Sequence, residues 1–192
     1  MTFKSLGPST AAFPTPTWVV VTYDKNERAN AMTAAWGGIA NSDPASVFVA
    51  IRPDRYTYEN IIIKREFTIC IPSEEHVKEA DYFGIESGRE TNKIESAGLT
   101  AVKAEKVNAP YIAEFPMHLE CKLTDRMNLG THFVIIGKIV DVKAREDILD
   151  HKDSIEIQKL KPIIYSPTDR NYYGVGEEIG NAFSIGKELK KK

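Results

Sequence analysis

Between Pro116 and Thr124 the chain alternates strictly: Met117, Leu119, Cys121 and Leu123 are apolar, while His118, Glu120, Lys122 and Thr124 are polar. A period of two puts one set on each face of an extended strand, whereas a helix would scatter both around its axis. The pattern predicts a half-buried antiparallel strand with His118 on its exposed side. Residues 125–130 read as a loop. Residues 131–142 then return as a long strand in which Gly137 marks a bend or bulge. Two long neighbouring strands are the frame that the remaining segments must fit.

Shorter β-rich runs surround that frame. Residues 17–23 and 29–36, separated by the turn 24–28, read as a hairpin. Gly37 and Gly38 loosen the backbone, residues 41–44 turn, and residues 46–51, apolar on both faces, suit a strand covered from two sides. Residues 66–71, 100–104 and 162–165 add further strands. The helices are short insertions: residues 58–65 with Thr57 as N-cap, residues 73–82, residues 88–97, and a short one within 150–159. The third follows from Ser87 and Glu90, which have the spacing of a capping box. Residues 1–16, with Pro8, Pro14 and Pro16, form an extended lead-in. A C-terminal helix is expected over 178–192, with an apolar stripe of Ile179, Ala182, Phe183 and Gly186 and a solvated end at Lys190 to Lys192. The expected architecture is mainly β with helical insertions, an antiparallel barrel rather than a doubly wound sheet, in a single domain of residues 1–192.

Composition removes several classes of function. The net charge of −2 gives no overall field toward nucleic acid or an anionic membrane. No apolar run approaches the roughly 20 residues that span a bilayer, and the N-terminus has no signal-peptide core. Cys70 and Cys121 sit inside apolar strand patterns and read as small buried hydrophobes, which fits a cytoplasmic location. No GxGxxG, phosphate-binding GxxxxGK[ST], nucleophile elbow or metal-ligand spacing occurs.

The chemistry concentrates in two places. Arg52 and Arg55 flank the helix start at Thr57, and Arg89 and Lys93 stand four apart on the helix expected after Ser87. If the two helix starts converge, their cations, the Thr57 and Ser87 hydroxyls and free N–H groups suit a phosphate monoester; otherwise these are solvated surface charges. The small residues Thr33, Ala34 and Ala35 suit a flat ring lying against backbone, with Trp36 or Tyr56 beside it, or else plain strand packing. His132 is placed either to touch a ligand or to close a turn.

As an ordered set, Asn30-Ala-Met-Thr-Ala-Ala-Trp36, Asp43-Pro44, Arg52-Pro-Asp-Arg-Tyr-Thr57 with Asn60-Ile61, Asp81-Tyr-Phe-Gly84, Ser87-Gly-Arg89 and Lys93 resemble the flavin reductase-like, FMN-binding split-barrel family, and within it the flavoredoxin branch. Residues 130–139 are similar to the family's strand that carries a histidine near the flavin, and residues 172–176 resemble that branch's tail. The resemblance spans residues 10–190. It implies a six-stranded Greek-key split barrel, a homodimer, and noncovalent FMN near the dimer interface. Thr33, Ala34, Ala35 and Trp36 would line the isoalloxazine largely through backbone, with Asn30 and Met32 beside them. Arg52, Arg55 and Thr57 would hold the phosphate together with Ser87, Arg89 and Lys93, and His132 would lie near the flavin or the nicotinamide approach. Thr131 stands where many family reductases have Asp, which leaves nicotinamide positioning at 131–132 open. The flavin carries the redox chemistry, so no protein residue is assigned a catalytic role. Two functions follow: an FMN-dependent oxidoreductase with NAD(P)H as donor, or an electron-transfer carrier served by a protein donor. The acceptor is not identified by either.

Overall fold

A computed structural model describes residues 1–190. The strands are β1 (Thr15–Pro16), β2 (Trp18–Tyr23), β3 (Ala29–Ala34), β4 (Gly37–Ser42), β5 (Ala45–Ile51), β6 (Glu66–Ile71), β7 (Ala101–Lys103), β8 (Pro110–Ile112), β9 (Met117–Asn128), β10 (Phe133–Ala144), β11 (Ile164–Ser166) and β12 (Asn171–Tyr173). The α-helices are α1 (Tyr56–Lys64), α2 (Val77–Ile85), α3 (Lys93–Ser96) and α4 (Ile157–Leu160). Among the described residues no helix is long and apolar enough to cross a membrane.

The predicted frame of two long strands is present. β9 and β10 pair antiparallel from Phe133↔Asn128 to Ala144↔Met117, and the register slips between Ile136 and Gly137 and again between Ile139 and Asp141. At Gly137 an added Cβ would meet Cζ of Phe67 at 2.5 Å and Cβ of Cys121 at 3.2 Å, so the missing side chain is what admits the Phe67 ring. The seven-stranded sheet runs β3-β2-β6-β9-β10-β5-β4 with every pairing antiparallel. Edge strand β3 packs back toward β5, so the sheet curls into a split rather than a closed barrel.

Alternation along the strands sorts side chains into two cores. Val20, Met32, Val49, Ile51, Phe67, Ile69, Leu119, Cys121 and Ile135 fill the barrel together with Ile61 of α1. On the outside Val19, Val21, Ala31 and Cys70 pack against Ala80 and Phe83 of α2, Ile94 of α3 and Ile112 of β8. Burying β2 on both faces explains its uninterrupted valines. Cys70 and Cys121 are free and buried, and burial pushes the Cys70 thiol up to about 12 and the Cys121 thiol up as well.

Several expectations are corrected. Residues 37–42, read as loosened backbone and turn, form edge strand β4 beside β5. Residues 125–128 continue β9 instead of forming a loop. Thr57 does not cap α1, which starts two residues earlier, at Tyr56, with Arg55 as an N-cap that makes no side-chain hydrogen bond. The helix expected over 88–97 shrinks to α3, capped by Asn92, whose side chain accepts from Glu95 N. The helix within 150–159 reduces to α4 at 157–160. His118 is not exposed: it and Glu120 are buried beneath β8, with the Tyr111 ring stacked on His118 at 4.0 Å. The C-terminal helix over 178–192 is absent from the described residues, where only the 3-10 turn Ile185–Leu189 forms and Ile179 and Phe183 are exposed. Lys191 and Lys192 of the expected helix end lie outside the described residues.

Candidate functional site

Three segments meet at one cleft of about 90 Å³: the middle of β3, the start of α1, and the chain from the end of α2 to the start of α3. Each is placed there for a separate reason. β3 is an edge strand paired only with β2, so its other edge is open. α1 begins where Pro53 ends the β5 extension, and its first turn is held by Arg55 N donating to Arg52 O and Tyr58 N donating to Arg55 O. The N–H groups of Tyr56 and Thr57 make no backbone hydrogen bond and remain the open donors of a helix start.

Lys93 is only 4% exposed. Its Nζ donates to Phe83 O and to Glu86 O, both at 2.9 Å, and thereby closes the carbonyl end of α2. An ammonium carries three protons, so one is left without a partner among the described residues. Burial and the nearby Arg55 guanidinium, opposed by Glu86, push the Lys93 ammonium down to about 8. Two cations thus face the same cleft, and among the described residues no carboxylate is bonded to either.

Asn30, 5% exposed, donates from Nδ2 to Thr57 Oγ1 at 2.8 Å. The Thr57 hydroxyl is used as an acceptor and its own proton stays available. The Asn30 Oδ1 is buried without a hydrogen-bond partner. A Cβ on Gly88 would run into that oxygen and approach the Tyr56 ring at 3.3 Å, so only glycine lets the loop pass Asn30 this closely. Converging cations, a free hydroxyl proton and two helix N–H groups around a small cleft are a donor set of the kind that suits a phosphate monoester.

The residues singled out from sequence fall into distinct places. Asn30, Met32, Arg55, Thr57, Ser87 and Lys93 line the cleft together. Arg52 lies outside it, exposed and paired with Asp54 at 3.2 Å. Arg89 is also outside and is not on one helix face with Lys93, because residues 88–90 form a turn ahead of α3. The Thr33 hydroxyl donates to Ala80 O. With Ala35, Thr33 lines a second cleft of about 380 Å³, shared with Asp81, Tyr165, Arg170 and Tyr172. Ala34 points into the barrel core. Trp36 and Ala35 border an apolar hollow of about 390 Å³ against Phe13, Pro14 and Phe48. The side chains of residues 33–36 therefore diverge, and what they share is the backbone along the open side of β3.

His132 packs against Trp36 with ring centroids 4.5 Å apart and the planes tilted by 36°, and its Nδ1 lies 2.9 Å from Thr131 Oγ1. Burial and the charges of Arg52 and Arg55, opposed by Asp54, lower its pKa, which keeps the ring neutral at pH 7. Sequence reasoning missed the Phe83 and Glu86 carbonyls that hold Lys93, because backbone acceptors carry no residue signature. It also passed over Gly88, whose position between Ser87 and Arg89 was the available sign. Among the described residues no group of three or more His, Cys, Asp and Glu is placed to hold a metal ion.

The family model described as the flavin reductase like domain matches residues 10–174. Flavoredoxin of Desulfovibrio vulgaris (Miyazaki F) is similar in structure with a TM-score of 0.93 and 47% identity, covering 97% of this chain and all of that one (100%). Flavoredoxin from Methanosarcina acetivorans gives a TM-score of 0.89 at 27% identity, over 97% of this chain and 100% of that one. In sequence, a protein named high molecular weight rubredoxin from Moorella thermoacetica is 26% identical over 174 residues, which cover 90% of this chain and 69% of that protein.

Proposed function

This chain belongs to the flavin reductase-like family, and on that premise we propose that it is an FMN-dependent oxidoreductase that passes reducing equivalents through the flavin, with NAD(P)H as donor. FMN is the cofactor. The observation that carries this reading is the cleft in which Lys93 and Arg55 converge on unused donors. Lys93, Arg55, the Thr57 hydroxyl and the first N–H groups of α1 would hold the phosphate, with Ser87 in the wall. Backbone along Thr33 to Trp36, with Asn30 and Met32 beside it, would receive the isoalloxazine, and Arg52 and His132 lie toward its approach side. When bound, FMN supplies the electron chemistry; the chain's part is to bind it, orient it and admit partners.

A second reading is favoured by a specific observation: at 47% identity the chain resembles a protein titled flavoredoxin, and it aligns with a protein named a rubredoxin. In that reading the molecule is an electron-transfer carrier reduced by another protein. Both readings include a homodimer, supported by the exposed apolar residues Ile39, Met127 and Leu129, and a cytoplasmic location, supported by the two free thiols.

Anaerobic mixing of the holoprotein with NADH or NADPH separates the two. Rapid loss of flavin absorbance is expected for the oxidoreductase. No loss, with reduction by a small protein donor instead, would select the carrier. A colourless protein that takes up no added FMN would end both.

A further inference from the structure

Arg89 lies outside the phosphate cleft, yet it ties together two segments that form its walls. The loop 87–92 contributes Ser87 and Gly88 to the cleft, and the start of α1 contributes Arg55 and Thr57. Arg89 Nη1 meets Glu59 Oε2 of α1 at 2.8 Å, and its guanidinium carbon stands 4.7 Å from the centre of the Tyr56 ring. Tyr56 sits between Arg55 and Thr57, and its hydroxyl donates to Asp24 Oδ2 at 2.9 Å, which fixes the ring on the turn before β3. Among the described residues Arg89 provides the only side-chain ties from loop 87–92 to α1. Asn30, Tyr56 and Gly88 line both the phosphate cleft and a neighbouring cleft of about 260 Å³ that also holds Arg28 and Asn92, so these three residues stand between the two.

We propose that Arg89 is a latch, a positioning residue that holds the 87–92 loop on α1 and keeps the phosphate cleft closed, and that it does not bind the anion itself. This rests on reading the cleft as the site of the FMN phosphate. Its charge is already opposed by Glu59 and its planar face is laid on Tyr56, so the guanidinium serves the wall. With the latch broken, Gly88 no longer stays pressed against Asn30 and the two clefts merge into one open to solvent. The phosphate then leaves more easily, whereas a flavin without a phosphate does not sense the change.

The test is the release rate of FMN and of riboflavin from the loaded protein, read by the recovery of flavin fluorescence on dilution. Arg89→Gln, which removes both the ion pair and the cation–π contact, is expected to speed FMN release about three- to tenfold, and Glu59→Gln, which removes the ion pair alone, by about twofold to fivefold. The double variant is expected to be no faster than Arg89→Gln alone, because that change already removes both ties. Riboflavin release stays unchanged, and the swapped pair Arg89→Glu with Glu59→Arg recovers most of the slow FMN release. If Arg89 binds the anion, Glu59→Gln frees it and FMN release slows or holds steady while Arg89→Gln speeds it; that pattern overturns the latch alone. Equal acceleration of riboflavin also overturns it, since general loosening would then be the cause. If the unaltered protein releases FMN no more slowly than riboflavin, the phosphate reading of the cleft falls and the latch with it.

Discussion

The molecule buries ionisable side chains in two regions and treats them in opposite ways. Beneath β8, the fully buried Glu120 carboxylate accepts from Glu105 N at 3.3 Å and Lys106 N at 2.6 Å. His118 Nε2 lies 3.8 Å from the same carboxylate, and around the rim Lys143 pairs with Glu105 at 2.8 Å and with Asp141 at 3.1 Å. Opposite charges meet at that rim, and the carboxylate ends on the N–H groups of the loop it holds, while burial lowers the His118 pKa and leaves its Nε2 without a hydrogen-bond partner. In the cleft between β3 and α1 two cations meet. Burial and the Arg55 guanidinium push the Lys93 ammonium down, Asn30 Oδ1 has no partner, and the first N–H groups of α1 make no backbone hydrogen bond among the described residues. A carboxylate buried against the N–H groups of its own loop is scaffold, whereas cations converging on unused donors suit a ligand the chain does not supply.

That contrast can be broken by experiment. The largest effect is expected from Lys93→Ala. Losing a buried charge-assisted bond is worth about 1.5–3 kcal/mol, or roughly 10- to 100-fold in FMN affinity, with far less loss for riboflavin, as titration of flavin fluorescence measures. Equal losses for the two flavins would mean that Lys93 does not face a phosphate. On the other side of the comparison, Glu120→Ala is expected to lower the unfolding free energy by about 1–3 kcal/mol, seen as a lower denaturant midpoint, with the FMN affinity of the folded protein unchanged. A loss of flavin binding without a loss of stability would erase the distinction between the regions.

The smallest effect is a pH dependence. In the free protein Lys93 titrates at about 8, and a bound phosphate dianion raises that value again. The complex therefore holds the proton more tightly, so affinity is full near pH 7 and falls by roughly three- to tenfold in all as the pH rises past about 8. Riboflavin affinity, titrated over pH 7 to 10 as a control range of about three units, stays flat, and Lys93→Arg removes the slope.

Most strands were legible because a two-residue period fixes faces without reference to the rest of the chain. The faces of β9 were read correctly, but the exposure of His118 was not. Alternation distinguishes one side from the other, and what covers the polar side is β8, a separate segment whose docking leaves no mark in 117–124. The helix after Ser87 failed through competition: Asn92 and Glu95 repeat the capping spacing of Ser87 and Glu90, and residues 88–91 between the two caps offer no apolar side chain to bury, whereas Ile94 follows directly on the second. Of the site, the residue types around the phosphate were visible and their division was not. Arg89 and Lys93 look equivalent in spacing, yet one is turned out to Glu59 and the other drawn in by two carbonyls. The C-terminal stripe lacked a surface to lie on, and a short amphipathic segment without one does not hold a helix.

The meeting of Lys93 and Arg55 also has a consequence for the protein's persistence in a cell. A ligand present at a hundred times its dissociation constant adds about 2.7 kcal/mol to the folded state, a gain that empty molecules forgo. Molecules that never acquire flavin open more often and are the first available to proteases. The abundance of this protein would then follow the supply of FMN, with degradation of unfilled chains acting as the quality filter.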